Sequence, residues 1–180
     1  MDAALERQLR DLLDKQAIAE VIYRGARATD RRDGELMRSI YHPDAEDYHG
    51  PYNGPASGFA DLIDQGASPY IATSHMVSNI SIELAGDFAH VETYLAAVHR
   101  VETDEGLRDD FLRCRYIDRF ERRAGEWKIA KRTVVYDWGE TRAAVDKGWW
   151  DTMPGDYTFG KHGREDTHYT ERAATLALAR

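Results

Sequence analysis

Thr73-Ser74-His75-Met76-Val77-Ser78-Asn79-Ile80-Ser81-Ile82-Glu83-Leu84 reads as a β-strand. Met76, Ile80, Ile82 and Leu84 fall on alternate positions and would cover one face of a sheet. His75, Val77 and Asn79 follow the opposite phase. If the sheet curls, that phase turns an imidazole and an amide into a cavity. An imidazole titrates near neutrality and can act as a general base without a metal or an organic cofactor. A lone histidine here reads first as a hydrogen-bonded residue at a strand end; its neighbours in the chain change that reading.

The chain has 180 residues, enough for one domain with a core of its own. Hydrophobic residues make up 42% and charged residues 31%, the balance of an ordinary globular domain rather than a disordered one. A formal net charge of −8 disfavours nucleic acid as a partner, because phosphates are repelled on average. No apolar run approaches the roughly 20 residues of a membrane span. Met1 to Arg7 is too polar for a signal peptide. The single cysteine, Cys114, excludes an internal disulfide and fits a reducing compartment, so a cytoplasmic location is expected.

Residues 3–29 carry a helical stripe of Leu5, Leu9, Leu12, Leu13, Ile18, Ile22 and Ala26, with a break expected near Asp14 or Lys15. Asp33 is placed to cap a short helix from Glu35 to Ile40, which Pro43 would stop. Asp30 therefore lies at a helix C-terminus, where the dipole disfavours a carboxylate; a solvent pair with Arg27 or Arg31 is the plain alternative. Between prolines only a strand of about Glu46 to His49 fits, followed by a brief helix from Phe59 to Gln65. Beyond the His75 strand, Gly86-Asp87 turns into an alternating run from Phe88 to Val101 with Val91, Thr93, Leu95 and Ala97. Arg108 to Arg122 alternates again, with Leu112, Cys114, Tyr116 and Phe120 on one side. A turn at residues 123–126 leads into the last strand, Trp127 to Trp138. Strands joined by short turns predict an antiparallel meander. Helices first and strands afterwards predict an α+β fold, a cone with the N-terminal helices packed on a curved, mostly antiparallel sheet. Residues 1–140 form that cone domain, and residues 141–180 form a C-terminal extension over the pocket mouth or a subunit interface. The extension carries Trp149, Trp150, Met153, Tyr157, Phe159 and Tyr169 but no convincing periodicity.

The order of these elements, the Tyr41-His42-Pro43-Asp44-Ala45 turn, His75, and the Gly125-Glu126-Trp127-Lys128-Ile129 hairpin with Arg132 beyond it resemble one known group. It is the SnoaL-like branch of the nuclear transport factor 2-like superfamily, and the resemblance covers roughly residues 5–140. The resemblance is to the part of that branch holding scytalone dehydratase, hexachlorocyclohexane dehydrochlorinase and bile acid 7-alpha-dehydratase. It implies a cone-shaped α+β barrel whose pocket does cofactor-free acid–base chemistry. It also implies that an aspartate after the first helix orients a strand histidine, with an arginine on the last strand completing the site. Asp30, His75 and Arg132 stand in those places. Two departures accompany the match. The dehydrochlorinase-type lysine position holds Gly25, and His99 is read as too far along its strand to be the second pocket histidine of the scytalone dehydratase pattern.

An Asp–His pair works because the carboxylate accepts one imidazole N–H, sets the tautomer and stabilises the imidazolium formed on proton transfer. Arg132 is expected to stabilise a developing oxyanion or leaving group, its plain alternative being a salt bridge with Asp137 or Glu126. Tyr23, two helical turns before Asp30, Tyr48, Tyr116 and Asn79 are the candidate substrate-binding residues, with a phenol as candidate general acid. No H-x-x-x-H, cysteine cluster, G-x-G-x-x-G or P-loop is present, so neither a metal nor a nucleotide cofactor is expected. The expected function is a cofactor-independent lyase or dehydratase that removes water or a small group, formaldehyde included, from a hydrophobic aromatic or polycyclic substrate. A double-bond isomerase of a steroid-like ketone and a non-catalytic ligand-binding domain are the alternatives. Outward apolar positions Met76, Ile80, Ile82, Val98 and Ile117, together with the aromatic extension, predict an oligomer; the resemblance makes it a homotrimer.

Overall fold

A computed structural model describes residues 2–66, 69–145 and 148–179. The first helix, α1 (Ala3–Arg31), runs 29 residues without the break expected at Asp14. Asp14 is instead an anchor: its carboxylate accepts the Trp127 indole N–H at 2.8 Å and the Arg122 guanidinium at 3.0 Å. Both partners lie on the sheet, so the middle of the helix is tied down where a break was expected. Arg32, in the left-handed region at φ 51°, ends α1. Asp33 then caps α2 (Gly34–Ser39) through the Leu36 N–H at 2.9 Å.

Strand β1 (Tyr41–Tyr48) is longer than expected and contains Pro43. Its ladder to the last strand shifts register between Tyr41 and Glu46, so the missing proline N–H falls where the pairing is interrupted. After β2 (Asn53–Pro55) and α3 (Ala56–Asp64), four long strands meander. They are β3 (Tyr70–Ala85), β4 (Phe88–Thr103), β5 (Gly106–Arg123) and β6 (Glu126–Ala143). The sheet order is β2-β1-β6-β5-β4-β3, antiparallel except for the β1–β6 pair. Helices α1 to α3 cover one face around a core that includes Ile18, Ile22, Met37, Ile40, Val91, Phe120 and Ile129. The α+β architecture read from the sequence is the observed one.

One strand departs from simple alternation. In β3 the register shifts between Ser78 and Ser81, and Asn79 sits at φ 47°. This bulge reverses the phase, so His75, Val77, Ile80, Ile82 and Leu84 all turn inward. The expectation that Ile80 and Ile82 lie on the outer face is therefore corrected, while Met76 stays outside, 64% exposed.

The C-terminal extension is not irregular throughout. It contains α4 (Thr167–Ala177), and it docks on the junction of α1 and α2. Arg31 pairs with Asp166 at 3.1 Å, Arg164 with Glu35 at 2.8 Å, and the Tyr169 hydroxyl donates to Asp33 at 2.6 Å. The contribution expected of the Trp149 side chain lies outside the described residues.

Candidate active site

The last turn of α1 and the opening of β3 meet at Asp30. One carboxylate oxygen, Oδ1, accepts the Thr73 hydroxyl at 2.9 Å and lies 2.6 Å from His75 Nδ1. The other, Oδ2, accepts the His75 backbone N–H at 2.9 Å. Three donors thus offset the unfavourable helix C-terminus. With Asp30 accepting, the His75 proton sits on Nδ1 and Nε2 keeps its lone pair. The pair is largely sheltered, with side-chain exposures of 6% for His75 and 14% for Asp30.

His99 lies beside it. Its Nε2 is 3.4 Å from His75 Nε2, and its ring packs on Tyr70 with centroids 4.3 Å apart. The expectation that His99 sits too far along its strand is corrected by the register: His99 pairs with Thr73, one inward step from His75. Burial, reinforced by the cost of placing a second positive charge beside the His75 ring, lowers its pKa to about 4, although Asp110 pulls the other way. His99 is therefore neutral at pH 7.

These histidines open onto a cavity of about 280 Å³. Phe59, Leu62 and Ile63 of α3, Tyr52, Tyr70 and a third histidine, His49, complete much of its wall. Such a mostly apolar chamber with a few convergent polar groups is the usual form of a small-ligand site.

The other sequence-derived candidates are placed elsewhere. Arg132 is buried at 3% exposure behind the cavity wall and makes a two-pronged pair with Asp118 at 2.9 and 2.7 Å. Neither Asp137 nor Glu126 is its partner; Asp137 binds Arg115 and Glu126 pairs with Lys128. The guanidinium also stacks 3.9 Å over the Tyr116 ring. Burial, only partly opposed by Arg132, pushes the Tyr116 phenol well up, which makes it a poor proton donor at neutral pH. Tyr48 lies against Lys131, 4.9 Å from its ring centroid, outside the cavity lining. Tyr23 is half exposed and shares a shallow outer groove with Asp30. Asn79 is exposed at the bulge, away from the cavity.

Three residues at the site, His99, Asp47 and His49, were not among the expected site residues, and each had a signal. The inward alternation of Val91, Thr93, Leu95 and Ala97 continues at period two to His99. Asp47 and His49 are likewise two apart on one side of β1 and its extension. Among the described residues, no grouping of three or more His, Cys, Asp or Glu is arranged to hold a metal ion. No helix among them is long and apolar enough to cross a membrane.

N-terminal helices packed on a curved, mostly antiparallel sheet in this order define a nuclear transport factor 2-like fold of the SnoaL-like type. The chain belongs to the SnoaL-like domain family, whose profile matches residues 10–133. Among solved structures it is similar to a type 2 hexachlorocyclohexane dehydrochlorinase, LinA, with 23% identity and a TM-score of 0.70 over 78% of this chain and 97% of that one. It is also similar to a scytalone dehydratase candidate from Novosphingobium aromaticivorans, with 21% identity and a TM-score of 0.63 over 76% and 91%. The Kfla4162 protein of Kribbella flavida gives 16% identity and a TM-score of 0.66 over 72% and 95%. No protein of curated function matches the sequence.

Proposed function

We propose that the protein is a cofactor-independent lyase that eliminates a small group from an aromatic substrate, with His75 as general base. The observation that carries this reading is the Asp30–His75 contact of 2.6 Å opening on an apolar cavity. His75 Nε2 takes a proton from the substrate carbon, and Asp30 stabilises the imidazolium that forms. General base catalysis typically contributes about 10²–10⁴-fold, so positioning in the dry cavity supplies part of the remainder. Neutral His99 offers a hydrogen bond to the same nitrogen until substrate displaces it. Arg132 and Tyr116 act from behind the wall, as a rigid charged support rather than as groups that touch substrate. The volume of about 280 Å³ lies at the small end for ligand pockets and suits one or two aromatic rings better than a four-ring skeleton. The dehydrochlorinase and dehydratase relatives agree with elimination as the reaction class. We also propose a homotrimer, built on the outer sheet face where Met76, Tyr94 and Trp138 remain 64%, 45% and 57% exposed.

The test uses the aldol adduct of acetone and benzaldehyde, an aromatic β-hydroxyketone that yields benzylideneacetone on losing water. Turnover is expected from the wild type, with or without prior chelation. His75→Gln is expected to lower kcat by about 10²–10⁴-fold with little change in melting temperature. Migration of a double bond without loss of a group would assign an isomerase instead. Binding of the product with no turnover would assign a ligand-binding domain.

A further inference from the structure

Strand β1 brings a second carboxylate–imidazole pair to the same cavity. Asp47 is wholly buried; its Oδ2 accepts the Tyr41 hydroxyl, and its Oδ1 lies 2.8 Å from His49 Nδ1. The His49 ring is stacked on Phe59 with centroids 4.4 Å apart and planes 16° from parallel, and its backbone carbonyl accepts the Tyr136 hydroxyl at 3.0 Å. Burial pushes the Asp47 carboxyl up, but its His49 contact, Arg132 and Tyr41 together hold it below the usual carboxylate range. Asp47 is therefore an acceptor, His49 carries a proton on Nδ1, and Nε2 is the nitrogen left for the cavity.

The two pairs differ in the charge behind them. Behind His49 lie two buried carboxylates, Asp47 and Asp118, against one guanidinium, Arg132. Arg132 is engaged by Asp118 in a two-pronged pair, which leaves the His49 ring as the nitrogen partner of Asp47. On the other pair, Asp30 is the one carboxylate in contact with His75, and the Thr73 hydroxyl and the His75 backbone N–H already donate to it.

We propose that His49 is the general acid of the reaction, donating its Nε2 proton to an oxygen leaving group. The substrate class is then a β-hydroxy compound rather than a halide, since chloride departs without needing a proton. This rests on the elimination reading above. His75 Nε2 takes the C–H proton, that electron pair becomes the new C=C bond, and the C–O bond breaks toward oxygen. Oxygen takes the His49 proton and leaves as water. His75 ends protonated and His49 neutral, and exchange with solvent restores both.

The pH–rate profile on the same β-hydroxyketone separates this from other roles. The groups facing His49 are Asp47 from β1, Asp118 and Tyr116 from β5, Arg132 and Tyr136 from β6, and His99 and His75 across the cavity; α3 offers Phe59, which does not titrate. Burial pushes the Tyr136 phenol to about 12 and Tyr116 higher still, so neither supplies a limb near neutrality. A reaction that needs one general base and one general acid gives a bell-shaped profile, and the wild type is expected to show one. His49→Gln is expected to lose about 10²-fold or more in kcat and to lose the falling limb. His49→Phe, which keeps the stack on Phe59, is expected to do the same. A variant that keeps the bell at reduced height makes His49 a structural residue and overturns the proposal. So does a variant with wild-type rate, or a wild type with no falling limb. An inert wild type removes the elimination reading itself, and the proposal falls with it.

Discussion

His99 illustrates how a buried site residue becomes a stability term. Its folded pKa of about 4 lies below the ordinary value of 6.5, so between those values the unfolded chain binds more protons than the folded one. Stability is then complete above pH 6.5 and falls as pH drops toward 4. A shift of that size corresponds to about 3 kcal/mol, and partial solvent access brings the expected loss nearer to about 1–2 kcal/mol. Denaturant unfolding at a series of pH values should show this slope, and His99→Phe should flatten it. The carboxylates of Asp33, Asp109 and Asp166, all held below 3.8, lose their contribution only beneath that value, so the two windows separate. Arg132 teaches a related lesson. Its candidacy was visible in the sequence, but its partner was not, because Asp118 is a neighbour through the β5–β6 ladder and 14 residues away in the chain.

Strand β3 shows how one residue redirects an element. Alternation predicted the strand correctly, yet the bulge at Asn79 reversed its phase from Ile80 onward. Asn79 tolerates the left-handed backbone because its short amide can bond locally, whereas a β-branched side chain crowds the following carbonyl. Asn79→Gly is expected to leave stability within about 0.5 kcal/mol. Asn79→Val should cost about 1–2 kcal/mol in equilibrium unfolding, or shift the strand so that Ile80 and Ile82 become accessible. An unchanged Val variant would show that the bulge does not depend on the residue that occupies it. Helix α1 makes the complementary point. Its polar Asp14 looked like a break in the stripe, and only the sheet-borne Trp127 and Arg122 explain why it is not one.

The outer sheet surface carries the assembly argument in amended form. With Ile80 and Ile82 turned inward, the apolar positions left there are Met76, Val98 and Ile117, joined by Tyr94 and Trp138. Trp138 is half covered by the Arg113 guanidinium, 5.2 Å from its ring. Light scattering at micromolar concentration should return the mass of a trimer. A dimer would replace the stoichiometry, and a monomer would remove the assembly altogether. The extension gave no periodic signal because its docked face is polar. Tyr169, Arg164 and Asp166 hold α4 and its approach to Asp33, Glu35 and Arg31 by hydrogen bonds and charge, and hydrophobic patterning does not register such contacts.

Local order was therefore legible from the chain alone: the N-terminal helical stripe, though not its continuity past Asp14, the four meandering strands, their turns and the α+β class, while Asp30 and His75 were paired by the family resemblance. Those features rest on propensities and periods that operate over a few residues, and neighbours in sequence report them directly. The tertiary structure decided which way β3 faces beyond its bulge, that His99 joins His75, that Asp47 holds His49 at the cavity, and that Arg132 is spent on Asp118. Each of these depends on strand register and on burial, which bring together residues tens of positions apart. A local pattern holds no information about the partner it will meet there.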